Sequence, residues 1–482
     1  MKLLYYLLPI FIIIYSSYSI PLVVADDEKL IEKTWGGYSL DVAEDVIVES
    51  EGSIFVVGWT ASRGEGEEDA LLIKYDQSGN LLWAKTWGEF NHDFASAIDI
   101  SEDNYIYVTG WSDSFADKEF RDIFLLKYDY DGNLLWSTLW SGDSWDFARG
   151  VAVSENGDVY VCGYTQSYTN RGFDILLIKY DSNGNVLTNV IWGGNFDDFC
   201  YDIEVHNEYV YLAGYTENSE SGKTDGVILK FNTNVDFIWA KTWGDQYPDF
   251  FHGLDVSEND FIYVTGRTEN YDYNVRDIVV LKLDLDGNLI WEETWGGQKW
   301  DFGKEIKATD NYVYVTGETY SFGAGGFDLL FLKYDVDGKL LESKTWGGTG
   351  PDIGAAIYVL YDSVYIAGST GNSIRSLINI DQSFIDVNDS GETVSYPKSN
   401  KILGEISELP KYVNHTSTSI SGKIMNVDGD EKFRNEADIA LIIFASFDQS
   451  SNVISNLNYI LLFFVIVFII SLIVIYFFKK NK

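Results

Sequence analysis

The sequence predicts an all-β fold, a seven-bladed β-propeller of four-stranded antiparallel blades, from three observations. A tryptophan recurs at residues 35, 87, 140, 192, 243, 295 and 346, with spacings of 51 to 53 residues. Between successive tryptophans lie four short runs of β-forming residues joined by polar turns. The repeats contain no run with helical periodicity. Seven such units are typical of a propeller with seven blades.

One unit shows how the four strands, named a to d, follow from the residues. FASAIDI and YIYVTGW are strands a and b, separated by the polar turn SEDN. IFLLKYD and LLWSTLW are strands c and d, separated by YDGN, whose Asp-Gly pair suits a tight hairpin. Small residues such as Ala95 and Gly150 recur in strand a, which places this strand at the crowded axis. The tryptophan at the end of strand d is expected to pack between neighbouring blades.

The repeated unit resembles a known family. Its pattern, KYDxxGNLLWxKTWGGxxxDxAxxIxVxxxxxVYVTGxT, is similar to the SBBP repeat of bacterial and archaeal seven-bladed propellers. The resemblance covers roughly residues 30–370 and 437–455. It implies the propeller fold. Because propellers support unrelated activities, it implies no particular function.

The seventh blade is interrupted, and the sequence predicts how it is completed. Strands a and b end at Thr370, and a strand-c pattern returns only at 437–454. Residues 371–436 are therefore interpreted as an insertion in the b–c loop, with a separate stalk domain as the alternative. No strand d follows, whereas KLIEKTW at 29–35 is a spare one. The N-terminal strand is predicted to close the ring, which leaves no open edge.

The two ends of the sequence predict export and a membrane anchor. Residues 1–25 have the basic, apolar and small-residue regions of a signal peptide. Residues 457–478 include a 20-residue apolar run predicted to cross a bilayer as one helix, and lysines follow in the tail at 479–482. Because lysines stay on the cytoplasmic side, the propeller at 26–456 is expected outside the cell. Strand polarity places the d–a and b–c loops, with the insertion, on a top face directed away from the membrane.

Composition narrows the classes of partner and of chemistry. The formal charge of −40 argues against nucleic acid, whose phosphates need many Lys and Arg contacts. The two cysteines, Cys162 and Cys200, are interpreted as buried thiols or as one bridge between repeats. None of the four histidines has ligand spacing for zinc. Common catalytic motifs do not occur, so no catalysis is expected.

Two aspartates recur in every unit, both on the predicted top face. The one before strand a is Asp41, Asp93, Asp146, Asp198, Asp249, Asp301 and Asp352. The one before strand c is Asp69, Asp122, Asp174, Asp225, Asp277, Asp328 and Asp438. Capping of loop N–H groups explains such recurrence. The functional interpretation is a ring that binds calcium, although the prediction requires no cofactor. The c–d turns such as DYDGN are interpreted as hairpins rather than calcium loops.

Two top loops differ from the others and are the candidate ligand site. Trp145 precedes Asp146 and Trp300 precedes Asp301, in the sequence WDF. A tryptophan beside a carboxylate suits a sugar, which needs stacking and hydrogen bonds. The alternative is that each tryptophan packs against its own loop. Two glycosylation sequons, at Asn388 and Asn414, lie in the insertion and fit an exposed segment or chance.

The sequence therefore predicts a membrane-anchored extracellular propeller that binds a glycan or protein through its top face, in adhesion or surface recognition. Two alternatives belong to other classes. One is a surface glycan-acting hydrolase or lyase that uses top-face acids, and the other is a structural component of the cell envelope.

Overall fold

The computed structural model describes the repeats and parts of the insertion. The described residues are 29–115, 120–169, 171–218, 223–270, 274–361, 363–371, 385–386, 402–405, 411–413, 417–420, 423–427 and 438–445. The predicted signal peptide, the predicted membrane helix, Asn388 and Asn414 lie outside them. The described residues include no helix long and apolar enough to cross a membrane.

The protein is an all-β propeller with seven blades of antiparallel strands. After β1 (Lys29–Trp35), the first six blades take four strands each, in the order a to d, from the axis outwards. They are β2 (Asp41–Val48), β3 (Ile54–Thr60), β4 (Asp69–Tyr75), β5 (Leu81–Gly88), β6 (Asp93–Ile100), β7 (Ile106–Ser112), β8 (Asp122–Tyr128), β9 (Leu134–Trp140), β10 (Asp146–Val153), β11 (Val159–Thr165), β12 (Asp174–Tyr180), β13 (Val186–Trp192), β14 (Asp198–His206), β15 (Tyr209–Asn218), β16 (Lys223–Asn232), β17 (Phe237–Gly244), β18 (Asp249–Val256), β19 (Phe261–Asn270), β20 (Val275–Asp284), β21 (Leu289–Trp295), β22 (Asp301–Ala308), β23 (Tyr312–Thr319), β24 (Asp328–Asp335) and β25 (Leu340–Trp346).

The seventh blade combines strands from distant parts of the chain. Its strands a and b are β26 (Asp352–Leu360) and β27 (Ser363–Thr370), and β33 (Asp438–Ala445) takes the place of strand c. The N-terminal strand β1 lies outermost in the same sheet, beside β33. Trp35 is buried in a cluster that also contains Leu441 of β33 and Val46 of the first blade. The first and seventh blades therefore share one apolar core.

Five blades carry a fifth strand, which the sequence did not predict. The strands are β28 (Ile385–Asp386) on blade six, β29 (Ile402–Glu405) on blade four, β30 (Lys411–Tyr412) on blade three, β31 (Thr418–Ser419) on blade two and β32 (Lys423–Asn426) on blade one. Each pairs antiparallel with the outer strand d. We call the described pieces between residues 385 and 427 the belt. The expectations of four-stranded blades and of an insertion displayed on the top are wrong for these pieces, because strand d offers an unpaired edge that they cover.

The recurring tryptophans pack between blades, as expected. Trp35, Trp87, Trp140, Trp192, Trp243, Trp295 and Trp346 are all buried. The ring of Trp87 lies 4.6 Å from Phe124 of the next blade, and Trp295 lies 5.0 Å from Phe322 of the next blade. The apolar clusters likewise combine residues of adjacent blades. Each blade is therefore stabilised mainly by burial against its neighbour.

Strand a carries a β-bulge at the same place in all seven blades. A glycine of strand b faces each bulge. At Gly163, for example, a Cβ atom would lie 1.9 Å from the carbonyl oxygen of Phe147. Glycine is required at this close backbone approach. The bulge changes which side chains of strand a point towards the central axis, and it therefore affects which residues line the channel.

A lysine of strand c joins each of five blades to the next at the face opposite the top. Its Nζ donates to a backbone carbonyl in the c–d turn of the following blade, at 2.9 to 3.1 Å. The five lysines are Lys74, Lys127, Lys179, Lys230 and Lys282. They are nearly buried, and Lys230 lies 3.9 Å over the ring of Tyr209. These contacts fix the spacing of the blades at the bottom.

Cys162 and Cys200 lie on adjacent blades. Both are buried free thiols, with the two Sγ atoms 2.6 Å apart. Burial raises the pKa of Cys162 well above its usual value. The interpretation as buried thiols therefore describes this structure.

Candidate binding site at the mouth of the central channel

Strand a of each blade lines the axis, and its side chains form successive rings down the channel. The first residue after the recurring aspartate gives the mouth ring: Val42, Phe94, Phe147, Phe199, Phe250, Phe302 and Ile353. The third gives the upper ring: Glu44, Ser96, Arg149, Tyr201, His252, Lys304 and Ala355. The sixth gives the lower ring: Ile47, Asp99, Ala152, Glu204, Asp255, Lys307 and Tyr358. All members of the upper ring are partly exposed, whereas every residue that precedes one is buried.

The aspartates before strand a are buried and hydrogen-bonded within their own loops. Asp146 accepts hydrogen bonds from Thr165 Oγ1, from Ser167 Oγ at 3.0 Å and from the Gly142 N–H at 3.0 Å. Burial raises its pKa to about 7, against the opposing effect of these hydrogen bonds. Asp41, Asp93, Asp198, Asp249, Asp301 and Asp352 are equally buried. Local capping therefore accounts for their recurrence, and calcium binding at these residues stays a prediction.

The two recurring aspartates meet in pairs across the blade boundary. A Cβ atom at Gly88 would lie 2.4 Å from Asp93 Oδ2 and 2.5 Å from Asp69 Oδ1. Glycine is needed there because the two carboxylates enclose it. Burial raises the pKa of both carboxyl groups to about 6, and the neighbouring charge adds to the shift of Asp93. The sequence indicated two separate series of aspartates, and the structure shows that they act together. The side chain of Asp438 is outside the described residues.

The mouth of the channel carries a continuous series of aromatic rings, which we call the aromatic arc. Each blade from one to five contributes a residue of strand b, of strand a, or of both, and successive ring centroids are 4.3 to 5.7 Å apart. The members are Trp59, Phe94, Trp111, Phe147, Tyr164, Phe199, Tyr215 and Phe250. Five of them are partly exposed: Trp59, Phe94, Phe199, Tyr215 and Phe250.

Trp145 and Trp300 each lie beside an arginine of the preceding blade, and these arginines also lie 5.4 Å from Phe147 and 5.8 Å from Phe302 of the mouth ring. They are 44% and 37% exposed. The Arg121 guanidinium carbon lies 4.0 Å from the ring of Trp111 and 5.9 Å from that of Trp145. The Arg276 guanidinium carbon lies 4.4 Å from the ring of Trp300. The two predicted tryptophans are thus exposed as part of a pair, whereas their neighbours Asp146 and Asp301 are buried.

Positive side chains gather in and around the upper ring. An N–H of Arg149 donates to the Tyr164 hydroxyl at 3.0 Å, and Lys304 Nζ lies 3.3 Å from Glu318. Arg267 of strand b lies 3.9 Å over Phe250 and 3.3 Å from Glu269. Burial lowers the pKa of His252 well below its usual value, and Lys304, Arg267 and Arg149 lower it further. The upper ring therefore combines a neutral imidazole with several fixed cations.

The lower ring is acidic around one lysine. Lys307 Nζ lies 3.2 Å from Asp255, and burial raises the pKa of Glu204 to about 8. Four carboxylates of this region accept a backbone N–H of the next blade at 2.6 to 2.9 Å. These are Asp45, Asp99, Asp202 and Asp255. They join the inner edges of adjacent blades, so part of this acidity has a structural role.

A separate group of possible metal ligands lies in the top loops of blades one and two. Glu67, Glu68 and His92 bring their ligand atoms within 4.8 Å of one another, and no other such group occurs among the described residues. His92 Nδ1 contacts Glu68, and its Nε2 lies 3.3 Å from Glu67. This group could not be recognised in the sequence, because its members are on different blades.

Comparison with known proteins supports the propeller repeat. Residues 135–169 match the sequence model of the beta-propeller repeat SBBP, which confirms the resemblance there. Regulatory protein FlaEY of Caulobacter vibrioides is 22% identical over 387 residues, 72% of this chain and 38% of that protein. The uncharacterised WD repeat-containing protein L264 of Acanthamoeba polyphaga mimivirus is 26% identical over 294 residues, 52% of this chain and 20% of that protein. The chain thus spans well under half the length of both relatives.

Two solved structures align with parts of this chain. Sqt1 from Chaetomium thermophilum aligns over 71% of this chain and 83% of its own, with 8% identity and a TM-score of 0.43. The endosialidase of phage phi92 aligns over 87% of this chain and 70% of its own, with 10% identity and a TM-score of 0.43.

Proposed function

We propose that this propeller is a binding protein that takes a glycan at the mouth of its central channel. The aromatic arc is the single observation that carries the proposal. Sugars present flat C–H faces that stack on aromatic rings, and a contiguous series of rings offers several such positions. The exposed Trp145 and Trp300 extend this surface outwards. Ligand pockets of proteins combine such apolar walls with a few polar groups that fix orientation.

Polar groups for a sugar are available beside the rings. The Trp145 and Trp300 loops each adjoin an arginine, and the Tyr164 hydroxyl and Arg149 lie beneath the mouth ring. Hydroxyl groups of a sugar accept from guanidinium N–H groups and donate to carboxylates such as Glu318. The positions next to the recurring aspartates differ between blades. Residues 92, 145, 197, 248 and 300, for example, are His, Trp, Asp, Pro and Trp. This variation within one chain suits a surface that recognises a shaped ligand.

Binding without catalysis is favoured for the top face. Asp146 and Asp301, the acids of the predicted site, are buried and accept hydrogen bonds from Thr and Ser. Both carboxyl groups are therefore engaged in hydrogen bonds with the neighbouring loop residues. A second candidate is a glycan-acting enzyme with acids deeper in the channel. The pKa of Glu204 is raised to about 8 and that of Asp202 to about 6, chiefly by burial, and such a separation is typical of an acid and a base that act together.

We further propose that the propeller acts outside the cell on a membrane anchor. The support is the apolar run at 457–478 with the lysines after it and the signal-like segment at 1–25, both read from the sequence. External protease applied to intact cells should digest the propeller. Protection of the propeller until the cells are lysed would contradict this placement.

The central experiment is a glycan array with the purified chain, repeated with Trp145→Ala and Trp300→Ala. We expect each substitution to weaken binding about tenfold, roughly the 1–3 kcal/mol of a lost stacking partner. Phe90→Ala is the matched control, because Phe90 is also an exposed top-loop aromatic, at 77%, but among the described residues it has no arginine over its ring as Trp145 and Trp300 do. Equal effects of the three changes would contradict the proposed site. Turnover of a bound polysaccharide that is lost in Glu204→Gln would favour the enzyme instead.

A further inference from the structure

Two members of the upper ring, Arg149 and Lys304, and two nearby arginines of blade five, Arg267 and Arg276, form a group of cations within a strongly acidic chain. Arg149, Lys304, Arg267 and Arg276 are cations, and the carboxylates they contact or approach are Glu44, Glu269 and Glu318. Glu269 accepts from both Arg267 and Arg276, at 3.3 and 3.1 Å, so this carboxylate neutralises only one of two guanidinium groups. Burial raises the pKa of Glu44, against the opposing effect of Arg149 and Lys304. Four cations thus face at most three anions.

Donors in this ring remain unused. Arg149 Nε is buried and has no hydrogen-bond partner among the described residues, although its terminal N–H donates to Tyr164. A buried guanidinium N–H without an acceptor costs free energy, and an anion would remove that cost. Nδ1 of His252 lies 3.2 Å from the Gly303 carbonyl, to which it donates. Its Nε2 is therefore without a proton in the neutral ring and can accept a hydrogen bond from a hydroxyl group of a ligand.

The acidic lower ring limits how far an anion can enter the central channel from the top. Asp99, Glu204 and Asp255 surround Lys307, and Asp45, Asp202 and Glu305 lie nearby. Those of these acids that are ionised repel a second negative charge. An anionic group that enters from the top is therefore held in the upper ring, directly beneath the rings of the aromatic arc.

We infer that the upper ring is a subsite for a carboxylate, with Arg149 and Lys304 as its main contacts, and that the glycan ligand contains an acidic sugar. This inference rests on the proposed function, because the arc would bind the sugar ring whose carboxylate the upper ring takes. The aromatic surface alone has no preference between neutral and acidic sugars. The cations provide that preference, since hydrogen bonds to charged groups are stronger than those between neutral groups.

The test compares two acidic oligosaccharides with the uncharged methyl ester of one of them. A hexamer of galacturonic acid, its methyl ester and an oligomer of mannuronic acid are titrated by calorimetry against the full chain. We expect one or both acidic oligomers to bind at least about tenfold more tightly than the ester, the ratio typical of a hydrogen bond to a charged group. Arg149→Gln and Lys304→Gln should each weaken binding of the acidic oligomers about tenfold more than they weaken binding of the ester. Arg171→Gln, which changes another top-face arginine of the same blade, is the control.

A second readout does not depend on tight binding. Monomeric glucuronate at high concentration should shift the ring signals of His252 in NMR spectra, assigned with His252→Gln, and should raise the pKa of this imidazole. The methyl ester of glucuronate should do neither. Equal binding of acid and ester, with no glucuronate effect on His252, would overturn the subsite and leave the proposed function intact. If none of the oligomers binds and glucuronate has no effect on His252, both the carboxylate subsite and the proposed glycan-binding function would be contradicted.

Discussion

The indole N–H of Trp346 in blade six donates to Glu32 Oε1 in the N-terminal strand at 2.9 Å. The two residues are 314 positions apart in sequence and adjacent in space. Trp346 is the last residue of β25, and Glu32 is in the middle of β1. The strand d supplied from the N-terminal end of the chain therefore packs against the neighbouring blade as an ordinary strand d would.

Deletion of residues 26–36 tests how far this strand stabilises the ring. We expect the free energy of unfolding to fall by at least roughly 3–5 kcal/mol, the usual cost of losing a buried tryptophan, because the pocket of Trp35 is emptied and β33 becomes an edge. Urea denaturation followed by tryptophan fluorescence measures the change. Glu32→Ala is the control for the hydrogen bond alone and should cost about 0.5–1.5 kcal/mol. A deletion variant as stable as the parent would contradict the closure.

Stability should fall as the pH rises from 5 to 8. Burial raises the pKa of Asp146 from 3.8 to about 7. An acid whose pKa is raised on folding binds its proton more tightly in the folded state, so its contribution is complete below pH 3.8 and is lost as the pH rises through about 7. Urea midpoints at each pH should show this decline, and Asp146→Asn should make it shallower.

Asp76→Asn is the control for the pH experiment. Hydrogen bonds from Asn80 lower the pKa of Asp76 in its turn. An acid of this kind stabilises the fold above its unfolded pKa, and that stability is lost only at pH values below the window tested. Its replacement should therefore change the stability by the same amount at pH 5 and at pH 8. A parent protein whose stability rises across this window would show that the raised pKa values are wrong.

Lys230→Met should destabilise the junction between blades four and five. Lys230 is 5% exposed, and its Nζ donates to the Leu285 carbonyl at 2.9 Å. Methionine keeps an unbranched apolar side chain as far as its ε-carbon but leaves the carbonyl without its donor, which typically costs about 1–3 kcal/mol. Lys339→Met, at an exposed position, should change the free energy of unfolding by less than about 0.5 kcal/mol. Similar losses in both variants would mean that the contact contributes nothing.

The belt should contribute to stability through its few apolar side chains. Val427 is 8% exposed, and its N–H donates to the Ala84 carbonyl at 3.2 Å. Val427→Asp places a carboxylate against an apolar cluster and should cost roughly 1–3 kcal/mol. Ser419→Asp puts the same charge on an exposed residue of β31 and should be nearly neutral. Thermal unfolding distinguishes them, and equal melting temperatures would mean that the belt is only loosely attached.

The fold could be predicted from the repeats because every unit has the same order of strands and turns and the same tryptophan. The period of the tryptophans gave the number of blades, and the spare KLIEKTW indicated how blade seven is completed. The belt escaped prediction for a physical reason. Its strands are two to four residues long, and strands this short have no alternation of apolar and polar residues to detect.

The candidate site was predicted only in part. Trp145 and Trp300 stood out because their positions differ between repeats. Asp146 and Asp301 were included because each follows one of these tryptophans, whereas the loop geometry requires an aspartate at this position in every blade. The upper ring was missed since its members, such as Arg149 and Lys304, are about three repeats apart and have no common motif. Alignment of the third residue after each aspartate across the blades would have revealed it.

The order in which the belt visits the blades has a consequence for biosynthesis. Its described strands contact blade six first, then blades four, three, two and one, the reverse of the order in which those blades leave the ribosome. No outer edge can receive its fifth strand until blades one to six have all been translated. Until then the outer strands d of the nascent propeller have unpaired edges. Likewise, β1 has no partner strand until β33 has been synthesised. Factors that shield nascent chains have their best opportunity to act during that interval.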